Sequence, residues 1–590
     1  MDNHLQNMLS VRDPLEGLQK FEYSALAHHR IIRLLYIYPT KATSLPIRCR
    51  VQETNIDECS MYPKYKALSY VWGASGITST IYINEKRFEV TANCFAALRR
   101  LREIKTTYVW IDAICINQND KDEKKTQIPL MRDIYYFADE VICWLGYSES
   151  DLERDRDQKV IEDRAFGLMH TLDRMPGGYL KYSLQSIERL HGDEPGWRAL
   201  AKILNHKWFT RIWVYQEVIV AARVKVLFQY YCETYETFIG RAVSLWDRVL
   251  EVQTRTRIHD PIENMRQGLF CVSRQFQARR CYDRDKRQLQ CVTLQDVLIE
   301  TQNLDCTCPK DRVFALLGVL KDNPERIKLD YGHSVAKIYT YCTLNAIQES
   351  RSLELLSLAG SSHRIKKNSL ALPSWVPDWR IKVWERTIPL QHSLYTAASG
   401  FGLQKSYQHE SSVLEVHGIQ VDTIIAGSFN LDSRPYSYGL ADWESQHKAY
   451  PNGDPGYHAW VRTITADRYD KDIRGFSRPS TEIFQQYLRL SQLPRRRDED
   501  GMIHLFNQTI ASTIKSRAFF ITRSGYMGLG PLGIDTGDMV CILRGCNVPF
   551  LIRNENNHYV LVGECFVWGL MDGEAVKKVV DSDFSTYGLI

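Results

Sequence analysis

The segment TYVWIDAICINQND, Thr107 to Asp120, indicates the fold because it runs from an apolar strand into polar residues. KYKALSYVWG, Lys64 to Gly73, has the same form, and EVICWLG, Glu140 to Gly146, is a buried type of strand. TQIPLMRDIYYFAD, Thr126 to Asp139, places its apolar residues at helical spacing. Strands that alternate with helices predict parallel βαβ units, so we expect an α/β fold at the N-terminus.

A functional site is expected where the polar ends of these strands meet. RIWVYQEVIVAA, Arg211 to Ala222, has helical periodicity, so Trp213 and Glu217, four residues apart, share one helix face. Open α/β sheets bind ligands at the carboxyl edge of their strands. We therefore predict that the site around Glu217 is completed by Ser69, Tyr70, Trp72, Gly73, Asp112, Asn117, Gln118, Arg211 and Trp213.

Structural roles remain open for several of these residues. Glu217 can instead form a helix salt bridge with Arg211 or Arg223. Asp112 can cap the turn that follows its strand, which is a frequent use of aspartate. Apolar neighbours favour core packing for three tryptophans, namely Trp110, Trp144 and Trp213.

The segments before and between these strands are also regular. HHRIIRLLYIYP, His28 to Pro39, predicts a strand that pairs with Ile47 to Thr54, and TSTIYI and KRFEVT predict a hairpin around Asn84 and Glu85. Asn93 is expected to cap a helix that runs through Arg102. The polar run INQNDKDEKK is expected to be a loop.

The length of 590 residues predicts two to four domains. We expect a first domain at residues 1–260 with a charged helical insertion at 147–207, followed by a mainly helical region at 261–400. Residues 401–590 are expected to form a mixed α+β region, in which short strands at about 515–580 make a small β-barrel or sandwich.

Charge and composition identify no partner. A net charge of +5 is too dilute to indicate nucleic acid or membrane, so a nucleic-acid-binding regulator has no supporting feature. The sequence shows no signal peptide and no apolar run of about 18 residues, which predicts a cytoplasmic protein. The fifteen cysteines are expected to be thiols, and neither the CxC of Cys306 and Cys308 nor any HExxH spacing predicts a metal. GxGxxG and P-loop motifs are absent too.

The chain resembles the fungal HET (heterokaryon incompatibility) domain family over about residues 21–222. The matching pieces stand in the family's order as IIRLLYIYP, YKALSYVWG, ALRRLR, VWIDAICINQND, QIPLMRDIYYFADEVICWLG and WFTRIWVYQEVIVA. Downstream, DCTCPKDRVFALLGVL, LPSWVPDWR, GDMVCILRGCNVPFLIR and LVGECFVWGLMDGEA resemble the later region of long HET proteins.

A more distant likeness concerns the chemistry. A strand followed by a helix with Trp213 and then Glu217 is similar to the arrangement in TIR domains, in which the corresponding glutamate is required to cleave NAD. This likeness implies a TIR-like, mostly parallel sheet with Glu217 as the catalytic residue. The sequence departs from the TIR pattern by the insertion at 147–207 and by Val214, where TIR domains favour cysteine.

The two resemblances imply an effector of fungal nonself recognition and programmed cell death. Its N-terminal domain is expected to hydrolyse NAD to nicotinamide and an ADP-ribose product when it self-associates. NAD is then a substrate, no cofactor is needed, and a protein partner can act as the trigger. The alternative is a non-enzymatic module that causes cell death by homotypic assembly, in which Glu217 has a structural role.

Overall fold

A computed structural model describes most of the chain and divides it into two compact units. The first unit comprises Met1–Gln290 with Leu304–Cys306 and Ala315–Lys321, and the second comprises Cys291–Asn303, Thr307–Phe314 and Asp322–Ile590. The residues described are 19–40, 45–58, 63–73, 76, 78–146, 155–173, 194–243, 260–290, 292–320, 331–360, 370–381, 394–403, 412–430, 437–472, 475–491, 501–556 and 558–590.

The first unit is built on a nine-stranded mixed sheet in the order β5-β4-β2-β1-β6-β3-β7-β8-β9. Its strands are β1 (Ile31–Ile37), β2 (Arg48–Asn55), β3 (Lys66–Ser69), β4 (Thr78–Ile83), β5 (Lys86–Thr91), β6 (Tyr108–Trp110), β7 (Glu140–Trp144), β8 (Val224–Leu227) and β9 (Cys232–Thr234). β3 lies parallel to both β6 and β7, and β7 lies parallel to β8. The predicted α/β class with parallel βαβ units is confirmed, and these four strands share one carboxyl edge.

The flanking strand pairs are antiparallel, except for β2 and β4, which are parallel. β1 pairs with β2 along its whole length, as the alternating pattern predicted, and β4 pairs with β5. Asn84 and Glu85 turn the β4–β5 hairpin with positive φ angles of 49° and 62°, which suits the twist of a two-residue hairpin. The last strand pair, β8 and β9, is antiparallel as well.

Helices flank this sheet. Those of the first unit are α1 (Ala92–Glu103), α2 (Asp112–Cys115), α3 (Lys121–Gln127), α4 (Met131–Phe137), α5 (Asp155–Asp173), α6 (Glu194–Leu204), α7 (Ile212–Ile219) and α8 (Asp260–Arg280). α5 and α6 belong to the predicted insertion, of which residues 147–154 and 174–193 lie outside the described part.

Two local predictions were wrong. The run expected to be a loop contains α3, because the Asp120 side chain accepts the backbone N–H groups of Asp122 and Glu123 and so caps the helix. The cap of α1 is Thr91, not Asn93: the Thr91 hydroxyl accepts the N–H of residue 94, and Asn93 lies inside the helix. The side chain of Asn93 is thereby released for a different role.

A buried arginine ties β1 to the segment after β6. Arg33 is 1% exposed and donates to both carboxylate oxygens of Glu123, at 2.6 and 3.0 Å. It also donates to the carbonyl oxygens of Cys115, at 3.2 Å, and Ser24, at 2.6 Å. A buried guanidinium is stable only when its donors are paired, so this network fixes α2 and the start of α3 against the sheet.

The second unit joins helices to an eight-stranded sheet in the order β17-β18-β19-β21-β12-β15-β16-β20. Its helices are α9 (Leu294–Thr301), α10 (Asp311–Leu317, which continues into the first unit), α11 (Val335–Ser350), α12 (Ser437–Gln446), α13 (Gly456–Thr465), α14 (Thr481–Ser491) and α15 (Gly501–Ile514). The sheet strands are β12 (Leu414–Asn430), β15 (Arg517–Thr522), β16 (Met527–Pro531), β17 (Met539–Leu543), β18 (Phe550–Glu555), β19 (His558–Glu564), β20 (Phe566–Val567) and β21 (Ser585–Leu589). Two short pairs, β10 (Tyr282–Asp283) with β11 (Gln288–Leu289) in the first unit and β13 (Tyr469–Asp472) with β14 (Gly475–Ser477) in the second, stand apart.

The long strand β12 closes the sheet on itself. It pairs with β21 through residues 414–418, with β17 through 418–423 and with β15 through 424–430. Since β17, β18, β19 and β21 also pair in sequence, five strands form a ring, which fits the predicted small barrel. Strands of this ring and β15 share one cluster of buried apolar residues, which includes Phe520, Val540, Leu551 and Val562.

Within the described part of the chain, no helix has the length and apolar character needed to cross a membrane.

The Arg33–Glu123 pair allows a test of the first unit. We expect Glu123→Ala to lower the free energy of unfolding by about 3–5 kcal/mol, because it leaves the buried Arg33 guanidinium without its carboxylate. Chemical denaturation of the full chain measures the change. Arg33→Met with Glu123→Leu is the control and should recover most of the loss; a single variant as stable as the native protein would contradict this role of the pair.

Candidate functional site

The helix that carries Glu217 is short and almost wholly buried. α7 has eight residues, and all of them except Trp213 are buried. A helix of two turns is not stable alone in water, so packing must hold it. Its first amide, that of Ile212, donates at 2.9 Å to the carbonyl oxygen of Asp305, which comes from the small downstream segment of the same unit. Gly318, from the other downstream segment, lies so close to the Gln216 side chain that a Cβ there would sit 2.1 Å from its Oε1.

Glu217 is joined to the sheet by two successive hydrogen bonds. Its carboxylate Oε2 is hydrogen-bonded to the hydroxyl of Ser69, the last residue of β3. The Ser69 oxygen in turn accepts from the indole Nε1 of Trp208 at 2.8 Å. Glu217, Ser69 and Trp208 are 2%, 1% and 0% exposed, so this pair of hydrogen bonds lies inside the protein at the carboxyl end of β3, an interior strand of the sheet.

The charge of Glu217 is balanced by its surroundings rather than by a direct ion pair. Burial raises its pKa to about 7; the positive charge of Arg211 and the Ser69 hydrogen bond act to lower the pKa, and the negative charge of Asp112 acts to raise it. Arg223, a possible salt-bridge partner, pairs with Asp139 at 2.6 Å instead. Among the described residues, no basic side chain lies within ion-pair distance of Glu217.

Asp112 occupies the same edge, after the neighbouring strand β6. Its Oδ2 accepts from the indole of Trp72 at 2.7 Å, and its Oδ1 accepts the amide of Ala113 at 2.7 Å. Gln118 donates to its backbone oxygen at 2.8 Å. Burial raises the pKa of this carboxyl, and the positive charge of Arg211 acts to lower it. The Arg211 guanidinium therefore acts on the pKa values of both Asp112 and Glu217. The Oδ1 contact reaches only the adjacent amide, and the cap residue of α2 is Ile111, which makes no side-chain cap bond.

Trp72 and Gly73 give this edge an exposed rim. Trp72 is 40% exposed, and its bond to Asp112 fixes the ring. Gly73 has φ of 81°, a left-handed conformation that favours glycine and leaves its backbone uncovered by a side chain.

Other predicted residues have structural contacts. Tyr70 is 2% exposed, with its hydroxyl beside the Cys94 thiol, so it belongs to the core and not to the wall of the site. Asn117 shapes the loop after α2. Its backbone N–H donates to the Glu123 carboxylate at 2.7 Å, and its side-chain oxygen accepts the backbone N–H of residue 119. Trp213 is half-buried on α7.

Two residues of the site were not predicted. Trp208 lies in a 3-10 turn, Lys207–Thr210, just before α7, so helical periodicity does not relate it to Glu217. Asn93 donates to the carbonyl oxygen of Val71 at 2.6 Å and accepts from the Trp144 indole at 2.9 Å. It therefore anchors the segment that leads from Ser69 to the rim. A polar residue inside an apolar helix face was the signal for Asn93.

The described residues contain no group of three His, Cys, Asp or Glu side chains that could hold a metal ion. The thirteen cysteines in the described part form no disulfide.

Comparison with known proteins supports the sequence resemblance. Residues 65–217 match the family model of the heterokaryon incompatibility protein (HET), and residues 488–586 match the Het-6 beta-barrel domain. Heterokaryon incompatibility protein 6, OR allele, from Neurospora crassa is 25% identical over 669 aligned positions that span 94% of this chain and 95% of that protein. No solved structure matches the chain.

Two parts of the chain are therefore similar to the HET domain and to the Het-6 barrel domain, and the predicted resemblance to HET proteins is confirmed. The HET match contains the candidate site from Ser69 to Glu217. The more distant likeness to TIR domains stays a prediction.

The raised pKa of Glu217 has a consequence for stability. Because the folded protein holds this proton up to a pH of about 7 and the unfolded chain releases it near its usual 4.5, stability falls as pH rises between these values. We expect Glu217→Gln, which cannot ionise, to gain stability relative to the native protein by up to about 3 kcal/mol between pH 5 and pH 8. Unfolding of both proteins across this range tests the trend; a difference that does not vary with pH would contradict it.

Proposed function

We propose that this HET-domain protein is a cell-death effector of nonself recognition whose first unit hydrolyses NAD when copies of the chain associate. The HET and Het-6 barrel matches and the similarity to a heterokaryon incompatibility protein support the role in nonself recognition and cell death. The NAD hydrolysis is a finer proposal, and it depends on the site around Glu217.

The observation that carries it is a buried carboxyl group without an ion pair. Removing a carboxylate from water costs several kcal/mol unless a partner compensates. Glu217 has one hydroxyl donor and the more distant charge of Arg211, and its pKa is raised to about 7. Perturbed carboxyl groups that face a sheet edge are typical of functional sites, because a fold gains no stability from them.

The reaction needs no more than one well-placed carboxylate. The nicotinamide of NAD leaves as a neutral ring from a positively charged pyridinium, so no acid has to protonate it. The Glu217 carboxylate can accept the hydroxyls of the attached ribose and stabilise the positive charge that develops on the sugar. Water then adds to the ribose carbon and releases one proton, which gives nicotinamide and ADP-ribose. Ordinary glycosidases need a second carboxyl group as acid.

Neighbouring groups suit the rest of a dinucleotide. The Trp72 ring offers an exposed flat surface at the rim, and Arg211 supplies a positive charge near both acids. Gly73 allows close approach of a phosphate to the backbone. Asp112 can accept further ribose hydroxyls, although two of its bonds already serve the fold.

The central prediction concerns Glu217→Ala. Full-length protein is incubated with NAD over a wide range of protein concentrations, and nicotinamide release is followed by chromatography. We expect release to rise more steeply than the protein concentration, because association switches the enzyme on. We expect Glu217→Ala to lower it by about 100 to 1000-fold, as loss of a charge-stabilising group does.

The matched control is Glu162→Gln. Glu162 is another fully buried carboxyl of the same unit, but it accepts the amides of Gln229 and Tyr230 and a side-chain bond from Gln158. This variant should keep its activity. Equal release from native protein and Glu217→Ala would refute the role of Glu217, and a folded, self-associating protein without any release would favour the non-enzymatic assembly module.

The pH profile is a second prediction. The carboxylate form of Glu217 is the active one, so kcat/KM for NAD should fall about tenfold per unit below a pH near 7 and level off above it. Initial rates between pH 5 and pH 9 measure the profile. A profile that is flat down to pH 5 would show that the essential group is not this buried carboxyl.

A further inference from the structure

The hydrogen bonds around Ser69 have a fixed direction. An indole N–H can only donate, so the Trp208 bond uses the Ser69 oxygen as an acceptor. A serine hydroxyl has one proton, and that proton remains for Oε2 of Glu217. Trp208 therefore selects the orientation in which Ser69 donates to the carboxylate.

We propose that Trp208 and Ser69 are positioning residues that hold Oε2 of Glu217 inside the protein and leave Oε1 to the substrate. The inference rests on the proposed NAD hydrolysis for its meaning in catalysis, but the positioning itself is a property of the folded protein. The proposal assigns a positioning function to Trp208 and excludes Ser69 as a nucleophile.

The geometry supports the split between the two carboxylate oxygens. Oε2 is occupied by the Ser69 hydroxyl, whereas no described residue donates to Oε1. Two hydrogen bonds strengthen each other in a low-dielectric interior when one hydroxyl accepts the first and donates the second, as Ser69 does here, and all three groups are buried. The carboxylate is thus held in one orientation before any ligand binds.

The same contacts exclude Ser69 as a nucleophile. A buried serine beside a carboxylate resembles a nucleophile with its base. Here the Ser69 oxygen already accepts a hydrogen bond from the Trp208 N–H, which lowers its nucleophilicity. Ser69 instead supplies a hydrogen bond that favours the ionised form of Glu217.

Several ionisable groups surround Glu217, and their contributions have to be separated from that of Ser69. Burial first raises its pKa, Arg211 lowers it, and Asp112 raises it. The buried groups of Tyr135 on α4 and Cys143 on β7 also face it, and both pKa values are raised by burial, so neither carries a charge near neutral pH. Ser69, in contrast, acts on Glu217 through a hydrogen bond. Its side chain is neutral, so its substitution removes no charge.

The first experiment is Ser69→Ala in the full chain. Loss of a hydrogen bond to a charged group should move the acidic limb of the kcat/KM profile upward by roughly one pH unit. Activity at pH 9 should then stay within about tenfold of the native value. If Ser69 were the nucleophile, the variant would be as inactive as Glu217→Ala at every pH, and this outcome would overturn the proposal.

A second readout does not require activity. The stability difference between a protein with Glu217 and its Glu217→Gln counterpart reports the titration of Glu217 in the folded state. The difference is measured against pH in the native background and in the Ser69→Ala background. The midpoint pH at which this stability difference changes should be higher in the Ser69→Ala background than in the native background. An unchanged midpoint refutes the positioning role, whereas a shifted midpoint in a protein that releases no nicotinamide supports the positioning and refutes the enzyme.

Trp208→Phe tests the other half of the pair. It removes the indole N–H, so the Ser69 hydroxyl can rotate. The midpoint of the acidic limb of the kcat/KM profile and the midpoint of the stability difference should both move upward, by less than in Ser69→Ala. Trp375→Phe is the matched control, because Trp375 is also 0% exposed and its indole also donates one bond, at 3.0 Å, to the Ser412 carbonyl oxygen of the second unit. This control should move neither midpoint. Equal shifts in both variants would mean that loss of any buried indole has this effect, and would overturn the assignment of Trp208.

Discussion

The hydrogen bond between Ser69 and Glu217 joins β3, an interior strand of the first sheet, to a two-turn helix, and the candidate site depends on it. β3 lies between two parallel neighbours, so the position of its last residue is fixed by the sheet. α7 has no such frame of its own and is placed by packing. The Ser69 hydrogen bond therefore fixes the position of the Glu217 carboxylate relative to the sheet, as a functional site requires.

Other buried acids of the chain show what is unusual about Glu217. Glu123 accepts a bidentate pair of hydrogen bonds from the Arg33 guanidinium, and Glu564 in the barrel forms an ion pair with Arg517 at 2.7 Å. Glu162 is buried without a cation, but backbone amides and a glutamine satisfy it. Each of these arrangements stabilises the fold. Glu217 differs from them in having a single hydroxyl donor, and this difference is the basis of the proposed function.

Much of the fold could be predicted, because hydrophobic periodicity and turn residues act over short distances. The strand pair β1–β2, the hairpin at Asn84 and Glu85 and the helix of Glu217 all follow from local pattern. The placement of Ser69, Asp112 and Glu217 at one edge followed from the βαβ order. The partners of Trp208 and Asn93 could not be predicted, since each bond joins residues far apart in sequence. Thr91 and Asn93 were confused because both are good caps and only tertiary contacts decide between them.

The small downstream segments of the first unit limit how this protein can be divided. The amide at the start of the Glu217 helix is satisfied by the backbone of Asp305, and Gly318 packs on Gln216, the residue beside Glu217. A recombinant fragment that stops soon after the HET match would expose both places to water. Its inactivity would then reflect a loosened helix and would carry no information about chemistry. The first unit is therefore discontinuous in sequence, and the shortest polypeptide that contains it extends to residue 321.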